Sequence, residues 1–527
     1  DPHEARTQVD MAMQRCLAIL GVAAALDVGR PPALLRSVHR IRHPCLQCVA
    51  EMDAQTVAAS EEVATVDPWF QGAVDAASGD PEPLLEELRA TAAMALSGLE
   101  FPRRKDEAWR RCDLTSLRAS RIVTPAGTAN VEQLLASCHS VEDSVGMRLV
   151  LVDGVCSPEL SDLSALPAGM SAGSLCSVQG DAHDGALAAL RQALPEAEAD
   201  HRTALGVHTF AALNQASLAD VISVHVPAGM QVEQPLHVVI LSTAGASSGL
   251  EDGESAAPQR TLAASHPNIV LSLAEGASLS MLQQYGGEGG TFTNGLTRVN
   301  LGTDAKLVHS YVQEQALESV HVDSVLVDVG ERGLYESQLL QSGGRISRVN
   351  IQVNLERPGA HSSLKGLTLA TGNQLADVHS RVVHASGDCT SQQEQRNAVA
   401  GAARVVFKGA VVVPQGSDNT TANQLCRTLL LSDDARIDMQ PTLEIDTDDV
   451  QCTHGATVSD LDDEMIFYLQ ARGLSRLDAR ALLLEGWARS ALDKVPSAGA
   501  RQRAAVKAAT LAPDSDIRVR RERLSSI

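Results

Sequence analysis

The chain has 527 residues, more than one compact core usually holds, so two to four structural units are expected. Aromatics are only 2% of a chain that is 44% apolar, so the core has to be built from Val, Leu, Ile and Ala, which suits regular, layered packing. A net charge of −22 makes a poor nucleic-acid binder, no run reaches the ~18 apolar residues of a membrane span, and the 10 scattered cysteines are not a small disulfide scaffold but fit reduced thiols in an intracellular compartment.

Residues 1–80 read as a leader. Arg15, Arg30, Arg36, Arg40 and Arg42 stand against the single acid Asp27 within residues 15–50, beside the short apolar piece "LAILGVAAAL". An arginine-bearing, acid-poor segment of this kind resembles an organelle targeting extension; the alternative is a marginal amphipathic helix of a larger domain. "CLQC" at 45–48 has metal-like spacing, but a lone pair inside a leader is weak evidence for a site.

Residues 81–200 read as a mixed, largely helical N-terminal domain. Leu84, Leu85, Leu88 and Ala92 fall at helical spacing, with Gly98 as a stop. "MRLVLVDG" reads as a strand and "DGALAALRQAL" as a helix.

From 201 to 444 the pattern is period two, cut by Gly, Asp and Ala turns. Small residues opening successive strands recur at Ala277, Ala305, Gly333 and Ala360, and again at Ala403 and Ala435. A strand–turn–strand repeat of about 28 residues is expected of a β-solenoid, whose narrow interior suits Val, Ile and Leu. A β-sandwich with evenly spaced hairpins is the alternative.

Residues 445–495 turn helical. "SDLDDEMIFYLQARG" carries acids in its first turn, an apolar stripe of Met465, Tyr468 and Leu469, and Gly473 as a stop. In the next helix Ser475 is an N-cap candidate, with Leu482, Leu483, Trp487 and Ala491 on one face. These helices either cap the solenoid or present a docking face. The Ala- and Arg-rich tail, 496–527, is expected to be loosely ordered.

"DDVQCTHGATVSDLDDEMIFYLQARGL" resembles the C-terminal signature of the SufB/SufD family of iron–sulfur cluster assembly scaffolds. "FPRRKDEAWRRCDLTSL" at 101–117 is similar to the N-terminal motif of its SufD branch, and several segments between them are similar to family segments in the same order. The resemblance spans roughly residues 82–495. It implies a mostly-β fold, with a right-handed parallel β-helix core, a helical N-terminal domain and a small helical C-terminal region. It also implies a heterodimer with a SufB-like subunit, a SufC-like ABC ATPase docked on the C-terminal helices, and no enzymatic activity of this chain's own. The implied cargo is a transient iron–sulfur cluster shared with SufB, built on sulfur from a cysteine desulfurase, with ATP used only by SufC. No P-loop or flavin-binding motif is found in this sequence. With the leader, the resemblance implies the plastid (chloroplast) stroma, the cytoplasm being the alternative.

The family signature places a glutamate after the histidine in SufB; here Gly455 follows His454, which is the SufD form. His454 therefore matches the SufD histidine that faces the SufB active cysteine, and imidazole can ligate iron or shuttle a proton. Cys452 is a second candidate contact. If 450–454 is extended, its thiol and the His454 ring share a face; a buried, inert thiol is the alternative. Cys426 stands where SufB has its cluster-holding cysteine, but reads better as a core residue. His379, His384 and Cys389 are expected to be interface hydrogen-bond donors rather than ligands. Asp448 and Asp449 are expected to cap a turn, and Asp460, Asp462, Asp463 and Glu464 to favour a helix N-terminus. Two other readings remain at this point: a β-helix carbohydrate-active enzyme, which the shortage of stacking aromatics disfavours, and a stand-alone metal-binding protein.

Overall fold

The computed structural model describes residues 66–77, 83–127, 131–138, 147–192, 205–245 and 260–512. The proposed leader through residue 65 and the "CLQC" pair lie outside them. Among the described residues the strands form two sheets, of 11 and 10 strands. Strands that follow one another in the chain fall in alternate sheets from Asn268–Leu273 onward, and each pairs in parallel with the strand two further on. The result is a parallel β-solenoid of about seven turns.

Each coil contributes one strand to each sheet. In the first sheet Phe292 pairs with Val320, Val320 with Ile346, Ile346 with Leu375 and Leu375 with Arg404. In the second Lys306 pairs with Leu334, Leu334 with His361 and His361 with Thr390. The small residues read from the sequence sit at coil corners, but not all at the same one. Ala277, Ala305, Gly333 and Ala360 precede strands of the second sheet, whereas Ala403 and Ala435 precede strands of the first. Cys389, fully buried before Thr390, is the missing member of the first series. A thiol packs there as a small apolar side chain does.

Inward-pointing residues of both sheets meet in the lumen. The apolar part includes Leu271, Met281, Val299, Val325, Val327, Val353 and Phe407. A polar network fills three adjacent coils: Tyr311 Oη donates to Asp323 at 2.6 Å and lies 2.7 Å from His321 Nε2, while His309 bridges Tyr335 Oη and Gln283 Oε1 at 3.0 Å each. Burial pushes the Asp323 carboxyl up, and holds His309 down to about 4 and His321 to about 3.

Helices cover the outer faces. Against the first sheet lie Trp69, Phe70, Phe101, Trp109 and Phe210, packed on Phe292, Val320 and Ile346. The helix Pro68–Asp75 corrects the leader boundary at 80. Trp69 and Phe70 are core residues, and Trp69 Nε1 donates to the carbonyls of Leu117 (3.1 Å) and Ser120 (3.2 Å). Asp67 as N-cap and Pro68 at the first helical position are the local start signal.

The division at 200 does not separate two cores. Arg148–Val152 pairs in parallel with Leu236–Ser242, so strands of the N-terminal part extend the solenoid sheets.

Against the second sheet lie the helices Arg476–Ala491 and Ala498–Thr510, whose Leu484, Ala488, Ala500, Ala504 and Ala508 pack on Leu340, Leu367, Leu369 and Leu429. The second of these corrects the expectation of a loose tail. Ser497 caps it by accepting from Ala500 N at 2.9 Å, and its alanines have little side-chain entropy to lose on packing. Strand structure also runs further than 444: the solenoid ends with Val450–Ser459, and helix resumes at Asp463–Gln470.

Candidate functional site

The last strand, Val450–Ser459, is the outermost of its sheet, as Arg436–Ile445 is of the other. The solenoid is therefore open at this end, and residues that would be lumenal in an inner coil are exposed. Ala422, Gln424, Cys426 and Thr428 are the buried, inward positions of the adjacent strand Thr420–Leu430. Their register partners are Cys452, His454, Ala456 and Val458. Cys452 and His454 thus share the lumenal face, as alternation in an extended segment requires.

The two differ in burial. His454 is exposed, while Cys452 is half-buried and packs beside Val411, Val413 and Ala422. Burial pushes the Cys452 thiol up, so thiolate chemistry would need an added positive charge or metal nearby. Cys426 lies one coil inward and two positions along from His454, about 8 Å away at Cα by strand geometry. Its thiol is 1% exposed and accepts from Asn397 Nδ2 at 3.5 Å, and burial pushes it up to about 12. It is a protonated core residue in this chain.

Beneath His454 a ladder of amides runs into the lumen. Gln424 Nε2 donates to Gln393 Oε1 at 2.7 Å, and Gln393 Nε2 to Ser380 Oγ at 2.5 Å. Gln424 Oε1 is buried without a partner. Gly409 makes the ladder possible, since a Cβ there would come 2.1 Å from Gln424 Nε2. His454, Gly455, Thr453, Gln424 and Gln393 line a shallow groove of about 420 Å³.

The flanking carboxylates are spoken for or solvated. Asp462 caps the helix Asp463–Gln470, accepting from Glu464 N at 2.8 Å, and Asp460 pairs with Arg480 at 3.0 Å. Asp448 and Asp449 are exposed. Among the described residues no group of three His, Cys, Asp or Glu side chains is placed to hold a metal ion. Any ion held by His454 and Cys452 would have to take ligands from elsewhere.

His379, His384 and Cys389 correct an expectation: all three are buried within this chain rather than presented at a surface. His384 Nε2 lies 2.8 Å from Ser391 Oγ, and the Cys389 thiol donates to Arg357 O at 3.3 Å. His379 belongs to a buried cluster that sequence reading missed. Arg348, fully buried, donates to Ala108 O (2.7 Å), Leu205 O (2.6 Å), Asp377 Oδ2 (3.1 Å) and His379 Nδ1 (3.0 Å), and its guanidinium lies 3.8 Å from the centre of the Trp109 ring. Burial first, and then the Arg348 charge, hold His379 down to about 4. The "FPRRKDEAWRRC" segment is thereby tied to the solenoid by a charge it does not itself carry. An isolated Arg in a strand pattern was the only local signal.

On the C-terminal helices, Met465 (56%), Tyr468 (56%) and Leu482 (49%) are exposed, and Leu469, Leu483 and Trp487 are half-buried. The helices are held instead by Ile466 and by Leu484, Ala488 and Ala491. Phe467, missed in the sequence, is the most exposed of the large apolar side chains here, at 72%. With Met465, Tyr468, Leu477 and Leu482 it gives the two helices an apolar outer surface.

A helix-flanked, two-sheet β-solenoid with an incomplete ligand set at its open end is the class of protein these features define. Residues 68–238 match the SufBD protein N-terminal region, and residues 255–487 match the SufBD core domain of SUF-system FeS cluster assembly. The chain belongs to the SufB/SufD family of iron–sulfur cluster assembly proteins.

Three relatives are similar over most of their length. The iron–sulfur cluster assembly SufBD family protein slr0076 of Synechocystis sp. is 29% identical over 436 residues, 81% of this chain and 91% of its own. Protein ABCI7, chloroplastic, of Arabidopsis thaliana is 27% identical, over 80% of this chain and 84% of its own. The iron–sulfur cluster assembly protein SufD of Escherichia coli is 28% identical, over 76% and 87% respectively.

Proposed function

We propose that this chain is a SufD-like, non-catalytic subunit of a complex with SufB-like and SufC-like proteins, contributing His454 to the site where a nascent iron–sulfur cluster forms. The observation that carries the reading is the open last coil. It presents His454 and Cys452 on an edge strand paired on one side only among the described strands, and the chain's described residues supply no third ligand. A second β-solenoid meeting this edge could continue both sheets by strand addition and bring the remaining ligands with it. Gly455, where the SufB signature has a glutamate, supports assignment to the SufD side. Iron and sulfide are cargo here, held in transit between chains, and ATP enters only through the SufC-like partner.

The apolar surface formed by Met465, Phe467, Tyr468 and Leu482 is the proposed seat of the ATPase subunit. Its aromatic and Met content is typical of interface centres. The plastid is the proposed compartment, supported by similarity to a chloroplastic relative and by the arginine-bearing leader.

Co-expression with SufB-like and SufC-like chains tests the assignment. A stable three-protein complex is expected on size exclusion. Elution of this chain alone, with the other two forming a complex without it, would contradict the reading.

A further inference from the structure

Four successive corners on one edge of the solenoid form a cleft of about 620 Å³ at Gly289–Gly290, Leu317–Glu318, Arg345 and Thr371–Gln374. With strands about 4.8 Å apart, four stacked corners span roughly 14 Å, the length of about four residues of extended chain. A single small anion would fill only part of that length.

Two arginines set the chemistry. Arg345 is half-buried; its Nη2 donates to Ser116 Oγ at 2.8 Å, while its Nε is buried without a partner. Arg260 is held over the same cleft by a hydrogen bond from its guanidinium to the Glu318 carbonyl. Burial first, and then the Arg260 charge, hold the Arg345 guanidinium below its ordinary pKa, so the two cations feel each other. Among the described residues lining the cleft Glu318 is the one carboxylate, and its side chain lies against Gly289. Among the described residues neither guanidinium is placed in an ion pair with a carboxylate, so the pair leaves this part of the cleft positive on a chain of net charge −22. Leu317 is 49% exposed at the rim, and Asn373 offers an amide at the Thr371–Gln374 corner.

We propose that this cleft, built on Arg260, Arg345 and Leu317, is a docking groove for an extended acidic peptide segment of a partner protein. Planar guanidiniums suit paired hydrogen bonds to carboxylates, and the exposed leucine and amide suit the backbone and apolar atoms of a peptide. The site is distant in sequence from the His454 edge and independent of the function proposed there.

The test is fluorescence anisotropy of a fluorescein-labelled tetraglutamate peptide with the full chain at low ionic strength. Saturable binding is expected, weakened at least tenfold by Arg345→Gln or Arg260→Gln, only partly retained by Arg345→Lys, and lost as salt is raised. Circular dichroism checks that each variant is folded, and Arg260→Gln carries the test if Arg345→Gln is not. Equal binding of tetraglutamine, no effect of either Gln variant, or no binding would overturn the proposal. Displacement of the peptide by equimolar inorganic phosphate would show a small-anion site instead, and tighter binding of a single-stranded oligonucleotide would show a nucleic-acid site; either result also overturns it.

Discussion

Arg348 carries a full charge with no solvent contact, and the fold offsets that cost with acceptors drawn from Ala108, Leu205, Asn350, Asp377 and His379. Removing a buried charge from such a network strands its partners, which typically costs about 3–5 kcal/mol. Arg348→Met is therefore expected to lower the urea midpoint steeply, and Trp109→Ala to do so by a comparable amount through lost packing and the lost cation–ring contact. Gly455 is the opposite case. Its backbone needs no glycine, and a Cβ there would sit 3.3 Å from Leu425 Cδ1, a contact a flexible side chain can relieve. Gly455→Glu should fold with a stability change within about 1 kcal/mol, measured by the same titration. At this scale the sequence was partly legible. Cys452 and His454 share a face because alternation is local, whereas the Arg348 cluster joins residues separated by more than 200 positions and left no local pattern.

At the scale of elements, histidines buried in the lumen and under the outer helices make stability depend on pH. Burial lowers His266 and His321 to about 3, and His309, His379 and His384 to about 4, against 6.5 for exposed histidine. The unfolded chain therefore binds more protons than the folded one below pH 6.5. Each such histidine removes up to about 1.4 kcal/mol of stability per pH unit as pH falls from there toward its folded value. Asp153, Asp220, Asp323 and Glu356, all raised by burial, work the other way: each disfavours folding above the ordinary carboxylate pKa, and that loss is recovered as pH falls through its raised value. The five histidines outnumber these four carboxyls, so the urea midpoint should drop between pH 7 and pH 5. A midpoint that rises over this range would contradict the burial described.

The C-terminal helices show which part of a helical pattern is readable. Periodicity locates both helices, but apolar spacing alone does not say which residues meet the solenoid and which face outward. Ile466 and Leu484 hold the helices, while Met465, Tyr468 and the overlooked Phe467 face outward. Phe467→Ser should leave the unfolding midpoint nearly unchanged and weaken SufC-like partner binding by about 2 kcal/mol, roughly 30-fold by calorimetry. The coil corners were legible for a similar reason. Small residues are demanded wherever the chain turns tightly, yet the pattern skipped Cys389 because a thiol does not look small or turn-like on paper.

For the whole molecule, the two sheets face one lumen and each is covered on its outer side by helices from a different end of the chain. That arrangement leaves the last coil as the place where the solenoid's hydrogen bonding and its candidate ligands are both unfinished. The solenoid was legible because its repeat is written in spacing. The extent of the folded region was less so. Trp69 and Phe70 lie just beyond an acid-rich stretch, and the helix Ala498–Thr510 looks like a disordered tail until its alanines are seen packed on Leu340 and Leu367.

The central claim is that His454 serves a cluster site completed by another chain. The most direct measurement is visible absorption after anaerobic addition of iron and sulfide to this chain alone, to its complex with SufB-like and SufC-like partners, and to the same complex carrying His454→Ala. The account predicts cluster absorption only in the complex, and a large loss on His454→Ala with the complex still intact by size exclusion. Equal absorption by the isolated chain, or full absorption in the His454→Ala complex, would contradict it.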